Sequence, residues 1–195
     1  AKDQGDTLKI ITDAAFGLFA RYGYDGVSVD QIAKASSLSK GAMYWHFKNK
    51  DDLFIACLNR LHELFNRYVF RAVLEAPASA EGLKAFFDGL SIMMEDEMVK
   101  QGIAGYWLEP GRADRARIQA VLEDFELTST TLLSETLDEG RDAGVFSFDP
   151  PADELARGLF GNAQGVLLAM RKQDADQNQR NLQLLRETVT RAYVK

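Results

Sequence analysis

The chain has 195 residues, 46% of them hydrophobic and 27% charged, with one cysteine and a net charge of −6. That length supports one large or two small domains around a real apolar core, and a lone Cys57 excludes an intramolecular disulfide. No apolar run approaches the ~18 residues of a membrane span, and the first residues lack a basic stretch leading into an apolar one, so a cytoplasmic protein without membrane contact is expected.

The charge is unevenly spread. Residues 1–50 hold seven Lys/Arg against five Asp/Glu, whereas residues 51–195 hold sixteen against twenty-four. An acidic protein with a basic end is compatible with nucleic-acid binding, because phosphate contact needs only a local basic face.

In chain order, Thr7 to Tyr22 places Leu8, Ile11, Ala15, Leu18, Phe19 and Tyr22 on one face at helical spacing, with Gly23 as a C-cap. Ser28 then begins a second helix, and Gln31 at the third position completes a capping-box pattern. A tight turn, Ser36-Ser37-Leu38, leads to Ser39, the cap of a third helix on which Met43 and Phe47 share the buried side. Tyr44, Trp45 and His46 fall elsewhere around that helix and cannot all be buried with them. Asn49 caps a rod running to about Glu75 before Pro77, with Asp51 and Asp52 in its first turn, where the helix dipole favours acids. Its apolar stripe is Leu53, Phe54, Cys57, Leu58, Leu61, Leu64, Phe65 and Tyr68. At 1.5 Å per residue such a rod is roughly 37 Å long.

A helix carrying Leu83, Phe86, Phe87, Leu90, Met93, Met94 and Met98 follows. Gly102–Leu108 reads as a short helix ended by Pro110-Gly111. Asp114–Ala143 reads as a long helix that Thr128-Ser129-Thr130-Thr131 is able to bend. A connector, residues 146–151, precedes two last helices, Ala152–Arg171 and Asp176–Tyr193. No strand pattern or internal repeat is visible. The prediction is an all-α protein: residues 1–50 form a three-helix head with a helix-turn-helix, residues 51–195 form a larger bundle, and the helix of residues 50–75 connects them.

The head has the chemistry of a DNA reader. Small residues Gly41 and Ala42 let the start of the third helix approach a DNA backbone, where Ser39 and helix N–H groups meet a phosphate oxygen. Lys40, Lys48 and Lys50 add positive charge, Tyr44 and His46 donate to phosphates, and Trp45 offers an apolar edge to a sugar or a thymine methyl. The competing reading is a solvated basic helix with partly buried aromatics; the capped preceding helix and tight turn favour a helix-turn-helix.

The segment GVSVDQIAKASSLSKGAMYWHFKNKDDLF resembles, along its whole length, the DNA-binding domain of the TetR (tetracycline-repressor-like) family, and especially the repressors of multidrug-efflux genes. The resemblance covers residues 7–55, about a quarter of the chain. It implies DNA contacts at Ser28, Ser39, Lys40, Ala42, Tyr44, Trp45, His46 and Lys50. Two positions depart from the family pattern. Ser37 replaces a usual glycine, at a cost of about 1 kcal/mol if the backbone there is left-handed. Ala42 replaces a frequent threonine, removing one hydrogen bond to DNA.

One DNA-reading head binds weakly, so a homodimer on palindromic half-sites is expected. The penultimate helix is rich in small residues, Gly158, Gly161 and Gly165, each costing up to ~1 kcal/mol against alanine. They either let a partner helix approach closely or pack within one subunit. With Leu155, Leu159, Asn162 and Val166, and with Leu182, Leu185 and Val189 of the last helix, they make the candidate dimer interface. The resemblance implies a four-helix bundle there. Phe86, Phe87, Met93, Met94, Tyr106, Trp107 and Phe125, with the polar Asn162, are the candidate lining of a pocket for a small hydrophobic or amphipathic effector. The same stripes are also what an ordinary core requires. No cofactor or metal is expected.

The predicted function is a ligand-responsive regulator, a repressor that binds a palindromic operator as a dimer and is released when an effector displaces the connecting helix. The alternative is an architectural or adaptor protein that binds DNA without ligand control. Catalysis is disfavoured: the two histidines, His46 and His62, stand sixteen residues apart, and neither a metal cluster, a nucleophile elbow nor a phosphate-cradling glycine loop is present.

Overall fold

A computed structural model describes residues 4–107, 115–170 and 174–195 of the chain. Among these the protein is helical: α1 (Gln4–Tyr22), α2 (Val29–Ser36), α3 (Lys40–His46), α4 (Lys50–Phe65), α5 (Arg71–Leu74), α6 (Ser79–Met94), α7 (Ala116–Asp142), α8 (Ala152–Ala169) and α9 (Ala175–Tyr193). The start proposed for the long helix at Asp114, Leu108 with Pro110-Gly111, and the end at Arg171 lie outside the described residues.

Local signals account for the first three helices. Ser28 accepts from the Gln31 amide while the Gln31 side chain accepts from the Ser28 N–H at 2.7 Å, so the capping box is closed in both directions. Ser39 caps α3 and Asn49 caps α4 in the same way, each accepting from the amide three residues on. The buried face of α1 is Ile11, Ala15, Phe16, Phe19 and Ala20; Leu8 and Tyr22, expected on it, are exposed.

The connecting rod is not one regular α-helix. Between α4 and α5 lies a π-helical turn, Asn66–Phe70, in which the Arg71 N–H donates to the Asn66 carbonyl five residues back. The wide turn advances the buried face by one residue. Leu53 through Phe65 are buried as expected, but the face then passes through Val69, Phe70 and Val73, and Tyr68 swings out to donate to Asp96 at 2.7 Å. Gly89 of α6 nests against this turn: a β-carbon there would stand 2.2 Å from the Tyr68 oxygen.

The Thr/Ser run leaves α7 unbroken. Ser129 and Thr130 donate to the carbonyls of Phe125 and Glu126 four residues back, satisfying their hydroxyls inside the helix. Among the described residues of the segment 102–108, which end at Trp107, the regular element is a 3₁₀ turn, Ala104–Tyr106. The connector is pinned to the C-terminal segment, with an isolated antiparallel bridge between Phe146 and Val194 and the Ser147 N–H on the Tyr193 carbonyl at 2.8 Å. One apolar core runs from Ile11 through Phe54, Phe87 and Leu137 to Val189.

Candidate nucleic-acid interface and effector cavity

α3 buries only Met43 among its residues. It therefore presents Trp45, 76% exposed, and Tyr44, 54% exposed, to solvent beside Ser39, Lys40, Gly41 and Lys48, all exposed, with Ala42 and His46 half-buried. Exposing a tryptophan and a tyrosine on one short helix forgoes roughly 1.5–3 kcal/mol of burial for each large side chain, which points to a partner surface. Ser28 is exposed at the start of α2. The face is not purely basic: Lys40 Nζ pairs with Asp30 Oδ1 at 2.6 Å, and this hydrogen bond holds the ammonium above its ordinary pKa. Asp30 thus locks α2 to α3 across the turn. That turn is left-handed at Ser37, with φ 54° and ψ 33°.

Lys50 is placed differently from the other candidate contacts. Its Nζ donates to the carbonyls of Tyr24 and Val27, both at 2.9 Å, and lies 3.9 Å from the centre of the Tyr24 ring. Arg115 sits 4.1 Å from the same ring and pairs with Asp25. Two cations therefore grip the α1–α2 turn, one from the start of α4 and one from the start of α7. The geometry gives Lys50 a bracing role in addition to any phosphate contact.

The 3₁₀ turn completes the attachment of the head. Tyr106 is fully buried, with its ring 5.2 Å from Phe16 and 5.5 Å from Phe54, and its hydroxyl donates to the Phe16 carbonyl at 3.0 Å. This corrects its reading as a pocket residue: Tyr106 is a strut between the turn and α1. Cys57 donates weakly to the Thr12 carbonyl close by, and burial pushes its thiol up to about 12, so it is inert.

Phe86, Phe87, Met93 and Met94 are packed in the core. Trp107 and Phe125 instead line a cavity of about 260 Å³ with Leu122, Leu168 and the polar Gln119, Glu126 and Gln164. Phe125 is the hub of its aromatic wall, stacked on His62 at 4.2 Å and meeting Phe65 edge-on at 4.9 Å. Burial lowers the His62 pKa to about 4, so the imidazole is neutral, and its Nε2 is buried without a hydrogen-bond partner. Asn162 does not reach this cavity. It is exposed on α8 and donates to the Gly158 carbonyl, so the polar residue that α8 supplies is Gln164.

The candidate dimer residues divide in two. Leu155, Leu159, Leu182 and Val189 are buried in the subunit's own core, because they face α8's and α9's own neighbours. Gly158, Gly161, Asn162 and Gly165 form the outer face of α8, and a β-carbon at any of the three glycines would meet nothing within 4 Å. Val166 and Leu185 are half-buried at its margin. Leu184 of α9, 65% exposed, was not among the sequence candidates. Gln119, Leu122 and Leu168 were not singled out from the sequence as cavity residues. His62 stands behind the wall, stacked on Phe125 rather than lining the space.

Among the described residues no group of three His, Cys, Asp or Glu is placed to hold a metal, and no helix is long and apolar enough to cross a membrane.

The family described as bacterial regulatory proteins, tetR family, matches residues 11–57, from within α1 to the first half of α4. The HTH-type transcriptional regulator AcrR of Shigella flexneri is 37% identical over 90 residues, 46% of this chain and 38% of that protein, so the match spans less than half of that relative. The biofilm operon negative transcriptional regulator IcaR of Staphylococcus epidermidis is 31% identical over 127 residues, 65% of each chain. Over 97% of this chain and 92% of its own, the protein of a SmeT–triclosan complex superimposes with a TM-score of 0.78 at 22% identity, a likeness of fold.

Proposed function

We propose that this chain, whose residues 11–57 match the tetR family of bacterial regulatory proteins, is a ligand-responsive repressor of that family. In this reading residues 1–50 are the DNA reader, and residues 51–195 form the sensor and the dimer. Two copies bind a palindromic operator, and a small hydrophobic or amphipathic effector releases them.

The observation that carries the reading is the exposure of Tyr44 and Trp45 on a capped α3 whose only deeply buried side chain is Met43. Such a helix is anchored on one side and offers aromatic, hydroxyl and basic groups to a groove on the other. The name of IcaR, a negative regulator, supports repression. The outer face of α8, with Gly158, Gly161 and Gly165 open, and the exposed Leu184 of α9 support a helix-on-helix dimer.

The effector enters beside Trp107 and Phe125. A SmeT structure with triclosan supports a small aromatic ligand in such a fold. Gln119, Glu126 and Gln164 supply its polar contacts, with neutral His62 stacked behind Phe125. Phe125 touches both Phe65, the last residue of α4, and Phe70, the last of the π turn, so a ligand that moves Phe125 moves the connecting rod. A hundredfold loss of operator affinity requires the effector to favour the released state by about 2.7 kcal/mol.

Operator affinity measured by fluorescence anisotropy on duplexes from the DNA upstream of the chain's own gene tests the reading. Tyr44→Ala and Trp45→Ala should each weaken binding at least tenfold with unchanged melting. Leu184→Glu should dissociate the dimer. Parent-like binding by both aromatic variants overturns the assignment of α3. Equal affinity for an unrelated duplex replaces the repressor with an architectural DNA-binding protein.

A further inference from the structure

A cleft of about 950 Å³, separate from the bundle cavity, lies between α1 of the head and the segment just after α6, with Arg60 of α4 at its back. Phe16 and Ala20, both buried in the core, close its floor; Met98 and the Tyr22 ring supply the accessible apolar surface within an otherwise mostly polar lining. Gly17 opens onto it from the middle of α1. A glycine inside a helix costs up to ~1 kcal/mol against alanine, and where glycine packs tightly in this protein, as at Gly89 and Gly105, backbone presses on it. At Gly17 a β-carbon would meet nothing within 4 Å.

The charges in the cleft select the sign of an occupant. Its two carboxylates are engaged: Asp13 binds Lys9 at 2.8 Å and Arg60 at 2.5 Å, and Glu97 binds Lys100 at 2.6 Å. Arg21 has no carboxylate partner among the described residues. Its guanidinium lies 5.4 Å from the centre of the half-exposed Tyr22 ring, so the lip of the cleft offers a cation beside an aromatic face. A cationic ligand would have to compete with Lys9, Arg60 and Lys100 for those carboxylates. An anion would find Arg21, and a short apolar body would find Met98, the Tyr22 ring and the space at Gly17.

We propose that this cleft binds a small amphipathic carboxylate, an aryl or alkyl acid of a few carbons, and that its occupation biases the attitude of the head. The occupant would touch α1 on one side and the segment after α6 on the other, so it acts at the joint rather than through the bundle core. The binding half stands on the cleft alone; the regulatory half rests on the operator-binding reading.

Isothermal titration of the full chain with 3-phenylpropionate and with its uncharged amide, 3-phenylpropionamide, tests the site. The acid should bind at least tenfold more tightly than the amide. Arg21→Gln and Gly17→Met, the second filling open space with a good helix former, should each lose at least tenfold, while Gln164→Leu in the bundle cavity should bind as the parent does. Equal binding of acid and amide, no binding, or loss in Gln164→Leu but not in the two cleft variants overturns the site. Operator anisotropy with saturating acid should then shift the parent's affinity at least fivefold and leave Gly17→Met unmoved; an unshifted parent overturns the regulatory half. A parent that binds no operator before acid is added refutes the repressor reading, and the calorimetry still decides the cleft.

Discussion

The backbone of Gly105 lies so close to that of Phe19 that a β-carbon added at Gly105 would stand 2.0 Å from the Phe19 oxygen and 2.8 Å from both the Ala20 oxygen and the Gly23 nitrogen. All three contacts are backbone, so no side chain can rotate away. Gly105→Ala should therefore push the 3₁₀ turn off α1 and lose about 1–3 kcal/mol or more, the cost of overpacking a rigid site. Urea melts measure this, and Gly5→Ala, in open space near the start of α1, is the control that should fold at least as stably as the parent.

Ser37 holds φ 54° at the helix-turn-helix turn, and its N–H still bonds the carbonyls of Ala33 and Lys34. Ser37→Gly should keep that geometry and gain about 1 kcal/mol by relieving the left-handed strain. An unchanged or lower urea midpoint would show that the strain is relieved elsewhere in the turn.

Lys50→Met removes two hydrogen bonds to carbonyls and a cation from the Tyr24 ring. It should cost about 1–3 kcal/mol of stability, since the Tyr24 and Val27 carbonyls lose a charged donor. If Lys50 instead acts only on phosphate, stability will be that of the parent and the salt dependence of DNA binding will flatten by about one unit.

His62 gives the fold an acid sensitivity. Its folded pKa, about 4, lies below the ordinary value of 6.5, and burial is the cause. Between those values the unfolded chain binds a proton that the folded chain refuses, so stability falls as pH drops from 6.5 toward 4 and is fully present above that window. His62→Phe, which keeps a ring against Phe125, should flatten this part of the stability profile. A parent-like slope between pH 6.5 and 4 in that variant would assign the sensitivity to other groups.

The helix-turn-helix was legible because its determinants are local: Ser28 with Gln31, Ser39 and Asn49 announce three helix starts within the sequence, and each cap forms as written. Exposure on α3 followed from geometry alone, since Met43 and Phe47 occupy one side. What escaped the sequence depends on tertiary neighbours. Tyr68 continues a perfect helical stripe on paper, but in the fold its backbone lies against Gly89 within a π turn and its hydroxyl reaches Asp96. Tyr106 and Trp107 are adjacent aromatics, yet one is a strut against Phe16 and the other lines a cavity. Asn162 and Gln164, two residues apart on α8, point to opposite fates for the same reason. Periodicity says which residues share a face; it does not say what the face meets.

The π turn at Asn66–Phe70 makes the connecting rod one residue longer than its span requires. Loss of a single residue within that turn would be absorbed by closing it to an ordinary α turn, leaving Phe65 and Val73 near their present places. The same loss within Lys50–Phe65 would rotate everything beyond it by about 100° and strip the core of its contacts. The rod thus has a built-in tolerance for a one-residue change in length, placed between the half that holds the head and the half that ends the bundle.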